Sequence, residues 1–140
     1  MQLLELTLGI KKNLMKNSNK IVWITGASSG IGAELAKIYS RRGIKLILSS
    51  RNVIALERVK HECYNPENIK ILPIDLNDFY TAPALVKKAY NFFGRIDILI
   101  NNAGVSQRSL IVDTQFDVFK KLIEINYLGT VALSRALLPF

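Results

Sequence analysis

Between Thr25 and Gly32 the chain reads Thr-Gly-Ala-Ser-Ser-Gly-Ile-Gly, with glycines at positions 26, 30 and 32. Glycines at that spacing let a backbone turn tightly and approach a ligand with no Cβ in the way. The four residues before it, Ile21, Val22, Trp23 and Ile24, are all apolar, the composition of a short strand buried on both faces. A helical pattern follows. A helix opening directly from such a loop offers unpaired backbone N–H groups and a partial positive charge, so the stretch predicts a diphosphate site. An ordinary strand-to-helix turn shows the same glycines, and two further clusters separate the readings.

The first cluster ends the second expected strand: Ser49, Ser50, Arg51 and Asn52. In dinucleotide folds an acid about 20 residues beyond the glycines holds the adenosine ribose hydroxyls, and an arginine nearby takes a 2′-phosphate instead. Here the acid is missing and Arg51 stands in its neighbourhood. A guanidinium binds phosphate bidentately where a carboxylate would repel it, which favours NADP(H) over NAD(H). A solvent-facing loop arginine is the plain alternative. The second cluster, Asn101-Asn102-Ala103-Gly104, follows the fourth expected strand. In an open α/β sheet the ligand crevice lies at the carboxyl ends of the strands, where strand order reverses. If the first and fourth strands are neighbours, this tetrapeptide faces the glycine loop. Its small residues leave room for a ribose, and an asparagine can satisfy main-chain groups of the adjoining strand. A simple Asn-Gly turn becomes improbable once both clusters accompany the glycine loop.

The elements that must position these groups alternate along the chain. Strands are expected at 21–24, 44–48, 69–74 (ending near Pro73) and 96–100, the last apolar apart from Asp97. Between them run helical patterns. The first sets Ile31, Leu35 and Ile38 inward and Glu34, Lys37 and Arg41 outward, and stops at Gly43. The second covers 52–63 with Val53, Leu56 and Val59 inward, and the third covers 82–93, closed by Gly94. A long last helix begins at about 115, where Thr114 and Asp117 have the spacing of a capping box. Such alternation predicts a doubly wound parallel sheet of the Rossmann type, with right-handed crossovers, truncated after the fourth strand and its following long helix. Residues 1–20 form a basic extension and residues 21–140 a dinucleotide-binding domain.

Composition narrows the functional classes. With 49% apolar and 21% charged residues in 140, the chain is globular and long enough for one core. The net charge of +8 would suit nucleic acid, but the basic residues are scattered and never interleave with aromatics. Pairs such as Arg41–Arg42, Lys87–Lys88 and Lys120–Lys121 read as solvated helix faces, and no nucleic-acid partner is expected. Cys63 is the only cysteine and His61 the only histidine, which leaves no disulfide framework and no metal site, and suits a cytoplasmic setting. The pair reads as a surface histidine beside a core thiol. The apolar start, Leu3 to Ile10, is interrupted by Glu5 and is far shorter than the roughly 20 residues a membrane span needs.

Taken together, Thr25-Gly26-x-x-x-Gly30-x-Gly32, Asp75 after the third strand, Asn101 to Gly104, and Asn126 followed by Gly129 resemble the short-chain dehydrogenase/reductase family over residues 21–140. The runs Ser106-Gln107-Arg108-Ser109-Leu110, Asp113-Thr114, Asp117-Val118 and Asn126-Tyr127-Leu128-Gly129 are similar to the SDR family member 7 group within it. The resemblance implies an NADP(H)-dependent oxidoreductase that moves hydride between nicotinamide and a carbonyl or secondary alcohol on a small lipophilic substrate. It implies that Gly26, Ser28, Ser29, Gly30, Ile31 and Gly32 cradle the pyrophosphate. Ser50 and Arg51 would meet the adenosine ribose and its phosphate, Asp75 and Leu76 the adenine, and Asn102, Ala103 and Gly104 the ribose side of the crevice. Asn126 matches the family's helix asparagine, which holds a water in the proton relay. Its position four after Leu122 and three after Ile123 places it on the apolar face, where a buried amide must find partners. Association with the endoplasmic reticulum membrane and homo-oligomers of the complete form are implied on the same footing.

One part of that pattern is missing. The family's general acid is a tyrosine four residues before a lysine, and none of Tyr39, Tyr64, Tyr80, Tyr90 or Tyr127 has a lysine there. The chain is therefore expected to be the cofactor-binding half of an enzyme, binding NADP(H) weakly and turning nothing over alone. Its fourth strand would lie at a sheet edge. The rival is a catalytically silent dinucleotide-binding or dimerising module.

Overall fold

The computed structural model describes residues 19–140. The expectations for residues 1–18 of the extension fall outside the described residues. The chain runs β1 (Ile21–Thr25), α1 (Gly30–Arg41), β2 (Lys45–Ser49), α2 (Val53–Glu62), β3 (Ile69–Ile71), α3 (Ala82–Phe93), β4 (Ile98–Ile100), α4 (Phe116–Ile123) and α5 (Thr130–Leu137), with a π-helical turn, Glu124–Gly129, joining the last two helices.

All strand pairings are parallel and the order is β3-β2-β1-β4. From β1 the chain steps outward through β2 to β3, then crosses back to place β4 on the other side of β1. This is a Rossmann-type doubly wound sheet, and strand order reverses between β1 and β4. Side chains alternate across it because a strand has a period of two. Val22, Ile24, Leu46 and Leu48 face α1 and α2 through Ala33, Ala36, Leu56 and Val59. Ile21, Trp23 and Ile47 face α3 and α5 through Val86, Ala89 and Leu133. Every residue of β1 is buried, as its unbroken apolar run requires.

The third strand shows what a proline does at an edge. Leu72 and Ile74 continue to donate their N–H groups to Leu48 and Ser50 carbonyls (3.0 and 3.1 Å), so pairing extends beyond Ile71. Pro73 between them has no N–H to give and needs none on that side. The fourth strand starts later than its apolar pattern suggests. Asp97 instead turns its carboxylate onto the N–H of Ile21 (2.7 Å) and the Nε of Arg95 (3.2 Å), anchoring the start of β1. Gly94 ends α3 in the left-handed region (φ 75°), donating to the Tyr90 carbonyl at 2.7 Å.

Several sequence expectations are corrected. The inward face of α1 is Gly32, Ala33, Ala36 and Ser40, while Ile31 is 74% exposed and Ile38 also faces outward. Small side chains let this helix lie close against the sheet, which bulky isoleucines would prevent. Val53 is exposed, because α2 begins there behind its Asn52 cap, whose Oδ1 accepts from the Ala55 N–H. Thr114 does not cap α4: its hydroxyl donates to the Leu110 carbonyl (2.8 Å) and meets Ser109. The expected long helix is one path but not one α-helix, being widened by the π-turn. Among the described residues no helix is long and apolar enough to cross a membrane. His61 is exposed and Cys63 buried, and burial pushes the thiol pKa up.

Trp23 and Ser49 are both fully buried, and the indole N–H donates to the Ser49 hydroxyl at 2.8 Å. Ser49→Ala strands that N–H, and urea unfolding should show a loss of about 1–3 kcal/mol. On the surface, Lys37 pairs with Glu34 within α1 (3.0 Å) and bridges to Glu62 of α2 (2.7 Å). The hydrogen bond from Lys37 holds the Glu62 carboxyl below its ordinary range. A lowered carboxyl stabilises fully above its unfolded pKa and loses that contribution as pH falls through the folded value. Urea midpoints measured across the acid range should therefore fall less steeply in Glu62→Gln than in the parent, by a small margin because the pair is solvent-exposed.

Candidate functional site

The carboxyl ends of β1 and β4 are tied through two side chains. The Thr25 hydroxyl, fully buried, donates to the Ile100 carbonyl (3.3 Å) and accepts from the N–H groups of Asn102 and Ala103 (3.1 Å each). One donor and two lone pairs are all in use. In return the Asn102 amide donates to the Thr25 carbonyl (3.1 Å) and the Gly26 carbonyl (3.2 Å). Asparagine is required because only a short amide reaches two successive carbonyls from there.

This knot dictates the glycines beside it. Gly26 has φ +66°, and a Cβ there would lie 2.7 Å from the Ala103 Cα. At Gly32 a Cβ would run into the Gly26 carbonyl oxygen and the Asn102 amide, the latter at 2.6 Å. The loop and the first turn of α1 can nest against the β4 loop only without side chains at these two positions. Among the described residues no side chain caps the start of α1, and its first turn holds no acid. Its leading N–H groups are therefore free toward the cleft.

Ser50 folds back on Asn52, accepting its N–H at 3.1 Å, and so turns the chain at Arg51. Arg51 is exposed on the cleft and makes no ion pair among the described residues. Past β3, the Asp75 carboxylate accepts the Asn77 N–H (3.0 Å) in a local turn, while Leu76 is buried behind it.

Asn126 lies within the π-turn and is exposed, which corrects the expected burial. Its amide is nonetheless fully directed: Oδ1 accepts the Val105 N–H and Nδ2 donates to the Val105 carbonyl, both at 2.8 Å. The side chain grips the peptide that follows Gly104. The face that Leu122 and Ile123 mark is itself uncovered among the described residues: no residue of α4 is buried and Ile123 is 58% exposed.

These elements enclose a cleft of about 770 Å³. Of the residues singled out from the sequence, Gly26, Ser28, Ser29, Ile31, Ser50, Arg51, Asp75, Leu76, Asn102, Ala103 and Gly104 line it. Gly30 (φ +54°) shapes the turn and Gly32 lies behind the wall; neither lines the cleft, and Asn126 meets it only through Val105. Asn52, named in the first cluster without a role, also lines it; sequence reasoning missed Ile74, Val105 and Ile125 on the lining, and Thr25 as the hub. Only a polar residue ending an apolar strand could have pointed to Thr25. Arg51 and Asp75 are, among the described residues, the only ionisable side chains on the cleft. Among the described residues no group of three His, Cys, Asp or Glu could hold a metal ion.

A glycine-rich turn and an uncapped helix start, at the point where parallel strand order reverses, define a nucleotide-binding α/β protein. The family model for short chain dehydrogenase matches residues 20–140, and the chain belongs to the short-chain dehydrogenase/reductase family. It is 53% identical over 127 residues to dehydrogenase/reductase SDR family member 7 of Homo sapiens, covering 87% of this chain and 38% of that protein. It is 41% identical to the SDR family protein 7-like of Drosophila melanogaster, covering 86% and 38%. The chain thus spans well under half the length of these relatives. Among solved structures, an alcohol dehydrogenase from Thermococcus sibiricus complexed with 5-hydroxy-NADP is 31% identical, with TM-score 0.78 over 86% of this chain and 52% of its own. A 3-ketoacyl-(acyl-carrier-protein) reductase from Brucella melitensis complexed with NADH is 30% identical, with TM-score 0.80 over 86% and 49%.

Thr25→Val keeps the shape of the hub and removes its hydroxyl, leaving the Ala103 N–H without its acceptor and the Asn102 N–H with the Ile100 carbonyl alone (3.0 Å). Urea unfolding should show a loss of roughly 1–3 kcal/mol, with faster hydrogen exchange at Asn102 and Ala103 than elsewhere in the sheet.

Proposed function

We propose that this chain is the dinucleotide-binding part of an NADP(H)-dependent oxidoreductase acting on a carbonyl or secondary alcohol of a small lipophilic substrate. The observation that carries the cofactor preference is Arg51, exposed on the cleft at the end of β2 where an NAD site would hold an acid. The cradle fits such a ligand. A Cβ at Gly26 or Gly32 would push apart the loops that form it, and the start of α1 keeps its N–H groups free. Those N–H groups, with the Ser28 and Ser29 hydroxyls, would receive the pyrophosphate. Arg51 would take the 2′-phosphate, Asp75 would accept from the adenine amino group, and Ala103 and Gly104 would leave room for a ribose. When bound, the cofactor supplies the hydride donor or acceptor. The lipophilic substrate is supported by Leu110, Ile111 and Val112, exposed in succession on the loop that continues from Val105.

A second reading, a catalytically silent dinucleotide-binding module, concerns these residues taken alone. Neither the cleft nor any tyrosine of the sequence supplies the family's proton-transferring Tyr-x-x-x-Lys pair. We take the 140 residues alone to bind without turnover, so binding is the proper test. Fluorescence titration should show NADPH binding tighter than NADH. Arg51→Ala should weaken NADPH by roughly 10- to 100-fold, the value of one or two charge-assisted hydrogen bonds, and leave NADH within about twofold. Equal affinity for the two cofactors in the parent protein would remove the NADP(H) preference. Reduction of a ketone by these residues alone would remove the silent reading.

A further inference from the structure

The π-turn touches the cleft on two sides. On one, Asn126 clamps the Val105 peptide with two 2.8 Å hydrogen bonds, next to Gly104, where a Cβ would come within 3.3 Å of the Asn126 Oδ1. On the other, buried Gly129 presses on Leu76: a Cβ at 129 would lie 2.5 Å from the Leu76 carbonyl oxygen and 2.8 Å from its Cβ. Leu76 continues from β3 and Val105 from β4, the two edge strands of the described sheet, with β2 and β1 between them. One turn of backbone therefore reaches loops from opposite edges. Residues at i and i+3 share a face in an α-helix; the π-turn spreads them and lets each address its own loop.

We propose that Glu124–Gly129 is a two-sided brace whose positioning residues, Gly129 and Asn126, set the two ends of the cleft separately. Gly129 seats the Leu76 wall at the adenine end. Asn126 seats the Val105 wall at the nicotinamide end. The assignment of ends follows from the diphosphate lying at the start of α1, with β2 and β3 to one side and β4 to the other. Since it deepens the dinucleotide reading above, it stands on that reading. A residue with any side chain at 129 must displace Leu76 and with it neighbouring Asp75, whereas loss of the Asn126 amide frees the Val105 peptide and leaves Leu76 where it is.

The test measures dissociation constants of the 140-residue chain for NADPH and for 2′,5′-ADP, which carries only the adenine half. Gly129→Ala should weaken both ligands by a similar factor, about tenfold. Asn126→Ala should weaken NADPH several-fold and leave 2′,5′-ADP within twofold. A role limited to general stability would weaken both ligands alike in both variants. Unchanged 2′,5′-ADP affinity in folded Gly129→Ala overturns the brace. If Gly129→Ala loses its near-ultraviolet circular dichroism, Asn126→Ala decides alone, and equal weakening of the two ligands overturns it. Parent protein that binds neither ligand sinks the dinucleotide reading itself, a result distinct from parent binding with indifferent variants.

Discussion

Everything at the cleft depends on how closely two loops can approach where strand order reverses. The Thr25 hydroxyl and the Asn102 amide together make five hydrogen bonds across the β1–β4 junction. Each is ordinary alone, but they are made at a distance that excludes side chains at Gly26 and Gly32. Buried polar groups of this kind are costly unless every one is paired, and here each pairing fixes the next. The glycines are consequences of the knot, and the open cradle is a consequence of the glycines.

The same closeness governs the helix that follows. With Gly32, Ala33 and Ala36 against the sheet, α1 sits tight on β1 and β2 and directs its uncapped start at the cleft. A helix held by larger side chains would stand further off, and its N–H groups would no longer share a wall with Asn102 and Ala103. Ile31 is turned outward onto the cleft for the same reason: the positions around it that face the sheet are taken by small residues.

What was legible in the sequence divides along physical lines. Strand cores and glycine-led turns were readable because an unbroken apolar run and a glycine each carry one meaning. Arg51, Asp75 and the Asn102 to Gly104 stretch came together in space because parallel strands place their carboxyl ends on one side, while Asn101 turns away to donate to Ser134 (3.0 Å). The misreadings came from periodicity. Ile31, Ile38 and Val53 fit a helical apolar stripe, yet close packing selected alanine and glycine instead. Helical spacing puts Asn126 on the apolar face of Leu122 and Ile123, and that face is not covered among the described residues. Thr114 has the spacing of a cap, but the Leu110 carbonyl competes for its hydroxyl and wins.

Charge is distributed over this chain at two scales, and they serve different ends. The net charge is +8, and the basic side chains of the described residues are scattered over the surface, where they attract any anion without choosing among them. Choice has to be local. On the cleft it reduces to one cation, Arg51, after β2, and one anion, Asp75, after β3, with the partial positive charge of α1 beside β1. The lone carboxylate is therefore separated from the helix start by the breadth of β2, and it is engaged by the Asn77 N–H in its own turn. A carboxylate at the end of β2 would stand in the place of Arg51 and oppose both the phosphate and the field of the helix. With Arg51 there instead, the ligand proposed above, with phosphates at two points and a hydrogen-bond donor at its far end, would meet all three groups.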